Sequence, residues 1–156
     1  MGPFQDFPRI TPFLWFDSNA EEAVEFYLTV FKNSRRLDKL TTDDKRVAPK
    51  TPVLTISFEL DGQRFTALNG GPPFKFNEAV SFVVRCDSQQ EVDEYWSKLT
   101  AGGQESQCGW LKDKFGVSWQ ITPAKLPELI KKPKAMEAMM KMKKIDIAEV
   151  ERAAKD

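Results

Sequence analysis

Two stretches of the chain carry the same hydrophobic pattern. In residues 10–31 an apolar, β-prone run, Phe13–Phe16, ends at Asp17-Ser18. Ala23, Phe26, Tyr27 and Val30 follow at i, i+3, i+4, i+7. In residues 79–100 the run Phe82–Val84 leads to Asp87-Ser88, and Val92, Tyr95, Trp96 and Leu99 repeat the spacing. Alternating or continuous apolar runs predict strands, and the 3.6-residue stripe predicts amphipathic helices. Each serine also opens an S-x-x-E box, Ser18 with Glu21 and Ser88 with Glu91. There a hydroxyl takes a helix N-terminal amide and the carboxylate reaches back to the cap. Two unrelated strand–helix pairs would share the stripe, whereas the matching caps argue for a repeat. The Asp-Ser pairs stand 70 residues apart and the stripes 69, a one-residue slip.

Strands are expected after each helix. Pro52–Leu60 alternates, Asp61-Gly62 is a hairpin signal, and Phe65–Leu68 returns. In the second half Ser106–Trp110 reads as a strand, Lys114-Phe115-Gly116 as a turn, and Val117–Thr122 as the last strand. Gly62 then corresponds to Gly116, and Phe65 to Trp119. The fold class is α+β: two tandem βαβββ modules, about 9–70 and 79–124, joined by a linker at 70–78 within a single domain. A helical extension follows at 125–156, where Pro127 and Pro133 suit helix starts and Asp146 with Glu149 marks another. Four of the five Met lie in 136–142. They suit a helix packed on its own domain or one that crosses to a second subunit.

Charge and composition narrow the function. The 156 residues hold 23 Lys+Arg against 23 Asp+Glu, so nucleic acid is not an expected partner. No apolar run approaches the roughly 20 residues of a membrane span. Met1–Asp6 shows no signal-peptide pattern, and Cys86 and Cys108 are too few for a disulfide framework, so a cytoplasmic location is expected. The chain has no His. That removes the Ser–His–Asp triad, the Cys–His dyad and every His-ligated metal site.

Two βαβββ modules resemble the vicinal oxygen chelate superfamily of glyoxalase I, extradiol dioxygenases and bleomycin resistance proteins. Particular motifs resemble its PhnB-like branch, also described as 3-demethylubiquinone-9 3-methyltransferase-like. They are Phe13-Leu14-Trp15-Phe16-Asp17, Ala20-Glu21-Glu22-Ala23, Phe26-Tyr27, Leu68-Asn69-Gly70-Gly71-Pro72, Cys108-Gly109-Trp110-Leu111, Asp113 to Gln120, and Lys141 to Asp146. The resemblance spans about residues 9 to 154. It implies a half-open barrel around a cavity, commonly in a dimer. It also implies a divalent metal held by residues at four strand positions, here about Thr11, Thr66, Ser81 and Gln120. Hydroxyls and an amide are weak neutral ligands, so neither metal nor cofactor is expected. The methyltransferase description lacks a matching motif: Asn69-Gly70-Gly71 runs into Pro72-Pro73 where a cofactor-binding helix should begin.

The expected ligand pocket draws on Trp15, Phe65, Asn69, Phe82, Trp110, Trp119 and Gln120, each aromatic facing either core or cavity. Phe74 and Phe76 could cover it. Asp113 is the candidate acid–base residue; Glu59, Arg85 and Lys112 are nearby charges, and Cys108 is either a reactive thiol or an inert one. Three functions follow in order. The first is a metal-free binding protein for a small organic ligand, expected as a homodimer that could form through the Met-rich helix. The second is a metal-free enzyme, and the third a metalloenzyme with other ligands.

Overall fold

The computed structural model describes residues 7–156, so the reading of Met1–Asp6 lies outside the described residues. The chain divides into two compact units, one running to Lys75 and the other from Phe76.

The first unit contains β1 (Phe13–Phe16), α1 (Ala20–Val30), β2 (Arg35–Thr41), β3 (Val53–Leu60) and β4 (Gln63–Asn69). Its sheet has the order β1-β4-β3-β2, with β1 parallel to β4 and the other pairs antiparallel. Asp61 and Gly62 both have positive φ, the conformation of a two-residue hairpin that fits the strand twist. The period-2 pattern of β3 and β4 sends Ile56, Phe58, Phe65 and Ala67 to one face, where Ala23, Val24 and Tyr27 of α1 close the core. Phe58 stacks between Tyr27 at 6.4 Å and Phe65 at 5.4 Å. The sequence pattern singles out no β2, because it is an edge strand of mostly exposed and charged residues with no buried face to reveal it.

The second unit repeats this order with β5 (Ser81–Cys86), α2 (Gln89–Thr100), β6 (Gln104–Glu105), β7 (Trp110–Lys112) and β8 (Ser118–Pro123), arranged β5-β8-β7-β6. The expected strand at Ser106–Trp110 is instead a turn, with β7 beginning at Trp110. Cys108 and Gly109 have positive φ there, and their amides donate to Met142 O and Lys143 O, both at 2.8 Å. Hydrogen bonds to the C-terminal segment thus replace the ladder that local alternation suggests.

The two capping boxes diverge. Ser88 accepts from Glu91 N at 3.2 Å as expected. In α1 the N-cap is Asn19, one residue later than the expected Ser18, and it makes no side-chain cap bond. The Ala20 amide is met from afar by Asn69 Oδ1 at 2.9 Å. Ser88→Ala is therefore expected to lower stability by about 1 kcal/mol, measured by urea unfolding, while Ser18→Ala should change it by much less.

Three helices end the chain: α3 (Leu126–Leu129), α4 (Pro133–Met140) and α5 (Ile147–Ala154). Asp146 caps α5, its Oδ1 accepting from Glu149 N at 3.1 Å. Leu126, Ala135, Met142, Ile145 and Val150 form a core of their own with Met139 packed on it, whereas Met140 is exposed. The Met stripe is thus divided between packing within its unit and open surface. Among the described residues no helix is long and apolar enough to cross a membrane.

Candidate functional site

Register decides which side chains each sheet presents away from its helix. In the second unit one row runs Phe82–Trp119–Leu111–Glu105 across β5, β8, β7 and β6. Trp96 of α2 donates its indole N–H to Glu105 at 3.0 Å, so this row lies under the helix. Phe82 and Trp119 pack together there, ring centroids 5.5 Å apart. The neighbouring rows therefore face the other way. They are Ser81–Ser118–Lys112–Gln104 and Val83–Gln120–Trp110. On this far face Gln120 Nε2 donates to Ser81 Oγ at 2.9 Å.

The first unit sorts in the same way. Phe65 and Asn69 lie on the α1 side, while Trp15 and Thr66 lie on the far face with Ser57 and Thr55. Thr66 Oγ1 and Ser57 Oγ are 3.4 Å apart, both buried. Trp15 Nε1 donates to Gly71 O at 3.0 Å, and its ring meets Phe74 edge-on at 4.8 Å. A Cβ on Gly70 would lie 2.4 Å from that ring, so the glycine lets the strand end pass beneath the indole. Asn69-Gly70-Gly71 thus serves as a turn against Trp15. Thr11 precedes β1, with its hydroxyl donating locally to Pro8 O at 3.2 Å.

Of the expected pocket residues, Trp15, Trp110 and Gln120 are turned away from the helices. Phe65, Phe82 and Trp119 belong to the helix-side packing. Asn69 lies on the helix side as well. It is fully buried, its Oδ1 takes the Ala20 amide and its Nδ2 donates to Val53 O at 3.0 Å, so both ends of the amide are used in tying α1 to β3.

Asp113 is also structural. The carboxylate is buried; Oδ1 accepts from Phe115 N at 2.8 Å and Val117 N at 3.1 Å, and Oδ2 accepts from Trp119 Nε1 at 2.8 Å. A general acid or base needs an oxygen presented to substrate, and these are committed to the β7–β8 turn and the indole.

Sequence reasoning passed over Ser118. It shares the far face with Gln120, is buried, and its Oγ meets no hydrogen-bond partner among the described residues. The signal was present: alternation that buries Trp119 and Ile121 under α2 must turn Ser118, Gln120 and Thr122 the other way.

A larger cavity of about 460 Å³ lies at the helix side of this unit, lined by Cys86, Pro123, Ala124, Ile147 and others. Three of its polar side chains are engaged: Ser88 and Asp146 cap helices, and Gln89 bonds Ile145 O and Ile147 N. Burial, with smaller contributions from the Glu91 and Asp87 carboxylates, pushes the Cys86 thiol from 9.0 up to about 12. The unfolded chain therefore loses this proton first, and the stability it supports is present below pH 9 and lost as pH rises towards 12. Wild type should lose stability more steeply than Cys86→Ser across that window, as read by urea unfolding at stepped pH. At neutral pH iodoacetamide should label Cys108 before Cys86.

Two four-stranded sheets of βαβββ topology, one in each unit, define a glyoxalase-like α+β protein. The family described as 3-demethylubiquinone-9 3-methyltransferase matches residues 8–122. The PhnB protein of Bacillus cereus is 33% identical over 75% of this chain and 100% of its own, with a TM-score of 0.68. The chain belongs to this PhnB-like, 3-demethylubiquinone-9 3-methyltransferase family, a branch of the vicinal oxygen chelate superfamily. Protein PA1353 from Pseudomonas aeruginosa shares 20% identity over 75% of this chain and 98% of its own, TM-score 0.63. The fosfomycin resistance protein FosX of Mesorhizobium loti shares 12% over 80% and 97%, TM-score 0.57. These two show the fold alone. No curated protein matches the chain.

The superfamily's metal can be tested against the residues present. The positions carried over by resemblance hold hydroxyls and one amide; Thr11, Ser81 and Gln120 are engaged in local hydrogen bonds, and Thr66 lies against Ser57. Among the described residues no group of three or more His, Cys, Asp or Glu could hold an ion. Neutral oxygens without a carboxylate do not fit a divalent cation.

Proposed function

We propose that this protein binds a small organic molecule against the far faces of its sheets. The observation that carries the reading is the polar residues that the fold buries on those faces: Thr55, Ser57 and Thr66 share a face with Trp15 in the first unit, and Ser118 shares one with Trp110 in the second. Buried hydroxyls contribute little to a core, and each costs free energy unless it finds a partner. An indole beside a few convergent polar groups is the usual make-up of a small-molecule site. Likeness of fold supports the same reading, because one fold neighbour is a resistance protein named for a small antibiotic. With Asp113 committed to its turn, no observation favours an acid–base enzyme over a binding protein.

A homodimer in a reducing cytoplasm belongs to this proposal. Exposed Met140 on α4 and the two free cysteines are what support it. Native mass spectrometry of protein purified without chelator tests ligand, metal and subunit number together. The expected result is a dimer without stoichiometric metal that retains aromatic compounds and melts higher with them. No stabilisation by any member of a broad aromatic library would sink the binding reading.

A further inference from the structure

A cavity of about 160 Å³ lies in the second unit, lined by Ser118, Lys112, Glu78, Trp110, Gln104 and Ser106 among others. Its lining extends from the far-face rows to the sheet edge at β6. Ser118 stands between Ser81 and Lys112 in register. Neither neighbour serves its hydroxyl: Ser81 Oγ accepts from Gln120, and the Lys112 ammonium pairs with the Glu78 carboxylate. The Ser118 hydroxyl is therefore a buried group with donor and acceptor capacity and no protein partner among the described residues, on a residue that lines a cavity together with Trp110.

The lining carries one cation and two carboxylates. Lys112 and Glu78 neutralise each other, and Glu105, also on the lining, accepts from Trp96 Nε1. A ligand carboxylate would be set beside Glu78 and Glu105, and a ligand ammonium beside Lys112. An uncharged group meets neither conflict. The volume suits one ring, since whole drug-sized ligands need roughly 300–1,000 Å³.

We infer that this cavity is a subsite for a neutral aromatic head group, a phenol or a primary aromatic amide, whose polar group hydrogen-bonds the Ser118 hydroxyl while its ring lies against Trp110. The inference rests on the small-molecule reading above and narrows it to a ligand class. Ser118 gives polarity selection, because the unpaired hydroxyl gains a partner only when the ring carries a hydrogen-bonding group. Trp110 gives flatness selection through ring–ring contact.

The test titrates the full-length protein with phenol, benzamide, toluene, benzoate and benzylamine, following indole N–H signals by NMR. The Trp110 signal is assigned by its loss in Trp110→Phe. Phenol and benzamide should shift it, with benzoate and benzylamine at least about tenfold weaker. Ser118→Ala should weaken phenol about tenfold, the scale of one hydrogen bond, and leave toluene unchanged. Ser118→Cys, which keeps the volume, should show the same loss, and both variants should melt as the wild type does. Equal phenol affinity in wild type and Ser118→Ala overturns the inference, as does tighter binding of either charged probe. Shifts confined to the Trp15 indole overturn this subsite while leaving small-molecule binding in place. If no probe moves any far-face signal, the wider reading falls and the subsite with it.

Discussion

Asp113→Ala is expected to lower folding stability by about 3–5 kcal/mol, because three donors lose their acceptor at once. Two are the Phe115 and Val117 amides of the turn between β7 and β8; the third is the Trp119 indole N–H. The Trp119 and Val117 groups are buried, so water does not replace the lost oxygen without opening the structure. Asp113→Asn should cost less, about 2 kcal/mol, since its carbonyl oxygen can still serve the amides while its NH2 faces the indole donor. A double-mutant cycle with Trp119→Phe should return a coupling of about 1–3 kcal/mol, the range for residues in contact. Urea unfolding of the five proteins, wild type included, checks each number. Asp113→Ala at wild-type stability would show that the carboxylate is dispensable to the turn.

Asn69→Ala is expected to cost about 2–4 kcal/mol by the same physics applied across the first unit. The side-chain amide spans from the first turn of α1 to the β3 backbone, and its loss leaves a buried N–H and a buried C=O unpaired. Asn69→Asp separates the two halves. The carboxylate still accepts from Ala20 N near the positive end of a helix, but it sets an oxygen against Val53 O. It should fall between wild type and Ala at neutral pH and recover in part as acid protonates it, measured as urea midpoints from pH 7 to pH 4. A wild-type midpoint for Asn69→Ala would contradict the latch.

These two residues show how differently a buried polar group reads in sequence and in space. Asn69 at a strand end and Asp113 before a glycine turn both look available to a ligand. Their partners lie 49 residues away for Ala20 and 16 for Val53, and six residues on for the Trp119 indole. Nothing in local periodicity announces such bonds. Ser118 is the converse case. It looks like an ordinary strand residue, and only the commitments of Ser81 and Lys112 leave its hydroxyl unpaired.

The metal positions make a related point. The missing histidine was visible at once, but its meaning depended on where strand ends fall in the βαβββ unit. Register then sets Thr66 beside Ser57, and Gln120 bonds Ser81, a chemistry of neutral hydrogen bonds.

The repeat, the helix stripes, the Ser88 and Asp146 caps and the hairpin at Asp61-Gly62 are all legible along the chain. Each is written in side-chain alternation or in contacts a few residues apart. Contacts between distant residues set the turn at 106–109, the acceptor that β4 gives the first amide of α1, and the face each aromatic occupies. A strand's alternation names two faces without saying which one the helix will cover. That choice is made by residues distant along the chain, and with it Trp110 and Ser118 are set against the cavity while Trp119 is held in the core.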